Sequence, residues 1–138
     1  LVYKEHNGYL LGNILIVPIL EEGVQDTSVY FPKGRWTHLI TGKTYVGGTK
    51  HNVHTSLYEI NAFVKDGNGI ILNLNDKREF PGFVGNDISQ YKKLTAFLYG
   101  DQGSLNFINE ESNCTINWEN KEITVSGKCC TEFEFQFK

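Results

Sequence analysis

Few residues in this 138-residue chain have the types and spacing that chemistry requires. Two pairs of adjacent acidic residues, Glu21-Glu22 and Glu110-Glu111, could supply the two carboxyl groups of an acid–base hydrolase. Adjacent side chains on a strand point to opposite faces, however, and both pairs lie in turn-like context. The sequence therefore favours solvated turn charges over catalytic carboxylates, and we expect no catalytic residue in this chain.

The histidines do not form a ligand set either. His51 and His54 are three residues apart, so on a strand their rings face opposite sides, which is poor geometry for a shared metal ion. His6 and His38 have no cysteine or carboxylate at ligand spacing. We predict no metal site and no cofactor.

Three cysteines are present, Cys114, Cys129 and Cys130, and an odd number is a poor disulfide framework. A bridge from Cys114 to Cys129 or Cys130 stays open, because the segment between them has the pattern of a hairpin. Free buried thiols are favoured in a chain without a secretory marker. Asn113-Cys114-Thr115 matches the glycosylation acceptor pattern, which matters only in a secreted eukaryotic protein.

Four aromatic residues are candidates for carbohydrate binding or for a domain interface: Tyr30, Trp36, Tyr45 and Trp118. Aromatic rings stack on sugar faces, but they also fill cores and interfaces between domains. Trp36 follows a turn and begins a strand, which favours the core or an interface. Trp118 lies in a predicted hairpin, where the core is favoured over a ligand.

The composition of the chain limits the classes of partner that it could bind. The chain is 40% hydrophobic and 21% charged, with a net charge of −3 and no basic block, so we expect a soluble globular protein that binds neither nucleic acid nor membrane. No apolar run is long enough to span a bilayer. There is no signal peptide and no methionine, and Leu1 reads as mid-sequence, so we expect a processed form or a piece of a longer chain; its compartment stays unknown.

The elements that must position these residues are short strands. Phe133, Phe135 and Phe137 alternate with polar residues, residues 115–118 and 122–125 have the pattern of a hairpin, and Asp66-Gly67-Asn68-Gly69 is a second hairpin signal. About ten such segments and no amphipathic helix predict an all-β antiparallel sandwich or jelly roll. We predict a single domain over 1–138. Residues 1–11 are a lead-in to the first strand, 12–74 form the core, 76–92 form a loop, and 93–138 supply the strands that complete the sandwich.

One stretch, Gly12–Gly48, is specific enough to suggest a family. It contains the phrases Gly12-Asn13-Ile14-Leu15-Ile16-Val17-Pro18-Ile19, Val29-Tyr30-Phe31-Pro32-Lys33-Gly34-Arg35-Trp36 and Thr41-Gly42-Lys43-Thr44-Tyr45-Val46-Gly47-Gly48. These resemble the region after the catalytic barrel in family-31 glycoside hydrolases, the α-glucosidase and α-xylosidase family. The similarity extends through Ile60–Ile71 and becomes weak beyond; Asn13 stands where the family usually has Asp.

The resemblance implies a non-catalytic β-sandwich that packs on the barrel, with the family's catalytic aspartates upstream of anything present here. A (β/α)₈ barrel needs about 250 residues, so this chain cannot contain one. We therefore expect an accessory domain of an enzyme that hydrolyses α-glycosidic bonds, with its own barrel as partner. Two alternatives stay open: a carbohydrate-binding module that acts through exposed aromatics, and a free-standing interaction protein.

Overall fold

The computed structural model describes residues 9–18, 26–54, 61–74 and 93–138, and within them it contains strands and no helix. None of these residues therefore belongs to a helix that could cross a membrane. The prediction of an all-β fold built from antiparallel sheets is confirmed. The described residues form thirteen strands: β1 (Tyr9–Leu11), β2 (Ile14–Ile16), β3 (Asp26–Phe31), β4 (Arg35–His38), β5 (Thr44–Val46), β6 (Thr49–His54), β7 (Ala62–Lys65), β8 (Gly69–Leu72), β9 (Lys93–Leu98), β10 (Gln102–Ile108), β11 (Asn113–Glu119), β12 (Glu122–Lys128) and β13 (Glu132–Phe137).

The chain divides into two compact units, Leu1–Asp66 and Gly67–Lys138. The first unit, unit 1, has a five-stranded antiparallel sheet in the order β1-β2-β7-β4-β5 and a second sheet formed by β3 and β6. Side chains from both sheets meet in one core, as in a two-layer sandwich. That core consists of Leu15, Val17, Val29, Phe31, Trp36, Val53 and Phe63.

The second unit, unit 2, also pairs two sheets, in the orders β10-β11-β12 and β13-β9-β8. Its core takes Leu105, Ile116 and Trp118 from the first sheet and Ala96 and Leu98 from the second. Strand β13 runs parallel to β9, with Phe133 opposite Leu94, so this one pair departs from the antiparallel pattern that we expected. The phenylalanines of β13 pack against the same core, as their alternation predicted.

The hairpin predicted near Trp118 is confirmed. Strands β11 and β12 pair in antiparallel register from Asn113–Lys128 to Glu119–Glu122. The two residues between them, Asn120 and Lys121, both have positive φ, 49° and 66°. Two central residues with positive φ are typical of the type I′ turn, which matches the right-handed twist of a two-residue hairpin.

The hairpin predicted at Asp66-Gly67-Asn68-Gly69 is wrong. Strand β7, before the turn, pairs with β2 and β4, whereas β8, after it, pairs with β9. The Asp66 N–H donates to Arg35 in unit 1, whereas the Gly67 N–H donates to Tyr99 in unit 2. The turn chemistry is that of a hairpin, but longer-range pairing assigns its two arms to different sheets.

The predicted domain layout stays a prediction. Tyr9–Leu11, at the end of the predicted lead-in, form β1 and pair with β2. The predicted loop 76–92 lies outside the described residues.

Candidate functional site

The phrases that suggested a family fold back on one another through backbone hydrogen bonds. The Trp36 indole N–H donates to the carbonyl of Pro32 at 2.7 Å. The Gly47 N–H donates to the carbonyl of Gly34 at 2.6 Å, and the Gly48 N–H donates to that of Phe31 at 2.7 Å. These hydrogen bonds hold the β3–β4 turn against the end of β5. The role of these residues is therefore structural and not catalytic.

Beneath this turn lies a group of rings that we call the aromatic cluster: Phe31, Trp36, Tyr45, His51 and Phe63. Phe31 is at its centre, with its ring centroid 4.8 Å from that of Phe63, edge-on, and 5.0 Å from that of Tyr45, stacked. Trp36 lies 6.3 Å away at a tilt. Burial raises the pKa of Tyr45, which keeps its hydroxyl neutral.

Three of the four predicted site residues, Tyr30, Trp36 and Tyr45, lie in unit 1, and the fourth, Trp118, lies in unit 2. Trp36 and Tyr45 come together in unit 1, whereas Trp118 belongs to unit 2. Trp36 and Trp118 are each only 3% exposed, in the core positions that we favoured, while Tyr30 and Tyr45 are half-buried. A role for these residues in sugar binding or at an interface stays a prediction.

The acidic and histidine candidates show no catalytic geometry within the described residues. Glu110 and Glu111 are exposed in the β10–β11 turn, where the Glu111 N–H donates to Asn109; the Glu21-Glu22 pair lies outside the described residues. His54 pairs with Asp26 at 3.1 Å, and both are solvent-exposed. In the described parts of the chain, no three histidine, cysteine or acidic side chains group as metal ligands would.

His38 has a role that sequence reasoning missed. It is 2% exposed, and its Nδ1 accepts hydrogen bonds from the backbone N–H groups of Ile40 and Thr41, both at 3.1 Å. A nitrogen that accepts twice carries no proton, so the proton is on Nε2, which lies 3.3 Å from the Asn61 amide oxygen. The imidazole thus closes the turn after β4, and the only sequence signal was a histidine just before Thr41-Gly42.

Replacing His38 with alanine should destabilise the fold, because it leaves the backbone donors of Ile40 and Thr41 without their acceptor. We expect a loss of about 2–4 kcal/mol in the free energy of unfolding. His38→Asn is the matched control, since an asparagine oxygen reaches the position of Nδ1 and should retain more than half of that stability. Urea unfolding monitored by circular dichroism measures both; equal losses in the two variants would contradict this role.

Unit 2 carries a shallow recess of about 520 Å³ on the sheet β10-β11-β12. Its wall includes the polar side chains of Gln102, Ser104, Asn117, Glu122 and Thr124. Trp118 also borders the recess, but its indole N–H donates inward to the Gly100 carbonyl at 3.2 Å. The recess offers hydroxyl and amide groups but no exposed aromatic platform of the kind that a carbohydrate-binding module uses.

Comparison with known sequences gives a consistent result. The family model described as the glycosyl hydrolase family 31 C-terminal domain matches residues 1–71. The chain is similar to the isomaltosyltransferase of Sporosarcina globispora, with 31% identity over 88 residues, and to alpha-glucosidase 2 of Bacillus thermoamyloliquefaciens, with 33% identity over 107 residues. These alignments take in 64% and 73% of the chain but only 8% and 14% of the two relatives.

Solved structures show the same relationship. The cycloalternan-forming enzyme of Listeria monocytogenes, in complex with a pentasaccharide substrate, matches with a TM-score of 0.81 and 26% identity, over 95% of this chain and 13% of that enzyme. The family-31 alpha-xylosidase of Xanthomonas citri matches with a TM-score of 0.75 at 20% identity, over 95% of this chain and 16% of its own, which is a likeness of fold. In each case the matching part is a small fraction of a much longer protein.

Proposed function

The chain belongs to glycosyl hydrolase family 31, as a C-terminal domain of that family, and from this premise we propose that its role is mechanical. It packs on the catalytic barrel of a longer enzyme that acts on α-glycosidic bonds, covering apolar surface and holding that enzyme's architecture. An inter-domain contact of this kind typically buries about 600–1,500 Å².

The observation that carries this proposal is what the family-like phrases do in the fold. Their distinctive residues, among them Pro32, Gly34, Trp36 and Gly47, make backbone hydrogen bonds and core contacts, and none of them presents a reactive group to solvent. Residues that stabilise the fold of the domain itself fit a structural role beside the catalytic barrel better than a catalytic one. The half-buried Tyr30 and Tyr45 are the candidates for contact with the barrel, and Tyr45 packs against the core that contains Trp36.

Pure chain should show no turnover of aryl α-glucosides, because 138 residues cannot hold the catalytic barrel and the Glu110-Glu111 pair is exposed in a turn. The measurement is release of the aryl group, with an intact family-31 enzyme as positive control. An immunoblot of source cells should show a polypeptide long enough to add a barrel of about 250 residues to these 138. Turnover by the pure chain, or a native product no longer than this chain, would overturn the proposal.

Carbohydrate binding is the second candidate, and the recess beside Trp118 is the observation that favours it. A sugar held there would contact polar groups and disturb the environment of that indole. Under the mechanical proposal, tryptophan emission should stay unchanged during titration with maltose-type oligosaccharides to millimolar concentration. A saturable change in the parent chain that disappears in an Asn117→Ala variant would instead support binding at the recess.

A further inference from the structure

Two thiols meet between the hairpin β11–β12 and the strand that follows it. Cys114 lies on β11 and faces the core of unit 2, where it is 2% exposed. Its register partner on β12 is Gly127, and Cys129 follows two residues later on the same face of the chain. After burial, the Cys129 thiol is the next cause of the raised pKa of Cys114, as expected of a neighbouring side chain.

Gly127 explains how the two thiols come so close. Its φ is +92°, and a Cβ there would lie 2.5 Å from the Asn113 carbonyl oxygen and 3.2 Å from the Cys114 Cα. Any other residue would therefore be strained and would push β12 away from β11. Without a side chain at Gly127, β12 stays close to β11, and Cys129 follows just beyond the end of β12.

Cys130 is held away from this pair. Its backbone N–H donates to the Ser112 hydroxyl at 2.9 Å, and its Sγ lies 3.3 Å from the Glu111 carbonyl oxygen, to which it donates. Cys129, by contrast, is half-buried and its Sγ donates to the Thr131 carbonyl at 3.2 Å. All three thiols are free; Cys130 is exposed, and Cys129 is the thiol that contributes to the raised pKa of Cys114.

We propose that Cys114 and Cys129 form a modification site that a low-molecular-weight disulfide oxidises to an intramolecular cross-link. The Cys129 thiolate attacks one sulfur of the reagent and forms a mixed disulfide, releasing one reagent thiolate. The Cys114 thiolate then attacks the Cys129 sulfur and releases the second. The two protons of the protein thiols end on the two released thiols, so the protein loses two hydrogen atoms and the reagent is reduced.

The solvent exposure of the two thiols determines which of them reacts first with the reagent. Burial, helped by the contact with Cys129, raises the pKa of the Cys114 thiol to about 11, so Cys114 is a poor first nucleophile at neutral pH. Of these two thiols, the half-buried Cys129 is the one that a dissolved reagent can reach. The resulting bond ties β11 to the connection between β12 and β13, and β13 is an edge strand bonded to β9.

The test uses the intact purified chain and oxidised glutathione, followed by intact mass and thermal unfolding. We expect the native protein to lose two hydrogen atoms without retaining glutathione, and its melting temperature to rise by about 5–10 °C. Cys130→Ser is the matched control and should respond in the same way. Cys129→Ser, at a half-buried position, should show neither change.

Peptide mapping without reduction distinguishes the outcomes further, because Lys121 and Lys128 separate Cys114 from Cys129 for a lysine-specific protease. In the Cys130→Ser variant, the cross-linked pair should contain the Cys114 peptide joined to the peptide 129–138, in which Cys129 is then the one cysteine. A stable glutathione adduct on Cys114 or Cys129, a bond that still forms in Cys129→Ser, or cross-linking that occurs only in urea would each overturn the proposal.

Discussion

Replacing Gly47 with alanine should severely destabilise unit 1. An added Cβ would lie 1.8 Å from the Pro32 carbonyl oxygen and 2.7 Å from that of Gly34, both of them backbone atoms that cannot rotate away. The strands cannot separate to make room without breaking the Gly47–Gly34 hydrogen bond of 2.6 Å. We expect a loss on the order of 4 kcal/mol, a large share of the about 5–15 kcal/mol that stabilises an ordinary domain.

The adjacent Gly48 provides the control. Its φ is +84°, but a Cβ there would meet no atom within 4 Å. Gly48→Ala should therefore cost only the strain of a left-handed backbone, about 1–2 kcal/mol. Soluble yield and urea unfolding of the two variants measure the difference, and equal midpoints would show that the clash at Gly47 is relieved by small backbone shifts.

This contrast also shows what the sequence could reveal about the family-like phrases. The dipeptide Gly47-Gly48 is a local signal for a break between strands, and it lies between β5 and β6. The reason for the first glycine lies in its contact with Pro32 and Gly34, which are more than ten residues away along the chain. A local turn or strand-break signal can be recognised in a sequence, whereas the close approach of two backbone segments that are distant along the chain cannot.

Strand pairing follows the same distinction. The β11–β12 hairpin was predictable, because its two alternating segments are adjacent and its turn tolerates positive φ at Asn120 and Lys121. The turn after Asp66 has equally good local chemistry, yet its arms join different sheets. The parallel pairing of β13 with β9 was equally hidden, because nothing in the alternation of Phe133 to Phe137 specifies a partner or its direction.

The candidate site was predictable only by residue type. The sequence identified Trp36 and Trp118 as residues with large side chains that fill a core or contact a partner, and the structure places both in a core. The sequence could not identify the role of His38, because a histidine that accepts two local backbone hydrogen bonds has no characteristic spacing to other residues. It raised Cys114 and Cys129 as one of two possible pairs, and the orientation of Cys130 distinguishes them.

Phe31→Ala should be the second severe substitution, because it empties the centre of the aromatic cluster. Phe31 has no exposed surface, and its ring contacts those of Tyr45, Phe63 and Trp36. Truncating a buried phenylalanine typically costs about 3–5 kcal/mol of stability, and the loss of its ring–ring contacts contributes to that cost. The measurement is urea unfolding, with the emission of Trp36 reporting on the cluster itself.

The neighbouring residue separates the loss of this cluster from a general weakness of β3. Tyr30 is on the same strand, half-buried and pointing to the opposite face, so Tyr30→Ala should cost about 1 kcal/mol or less. If Tyr30 instead contacts a barrel, its substitution should weaken packing in the longer enzyme while leaving this domain's own stability nearly unchanged. Equal destabilisation of the isolated chain by Tyr30→Ala and Phe31→Ala would contradict both the core assignment of Phe31 and the interface role proposed for Tyr30.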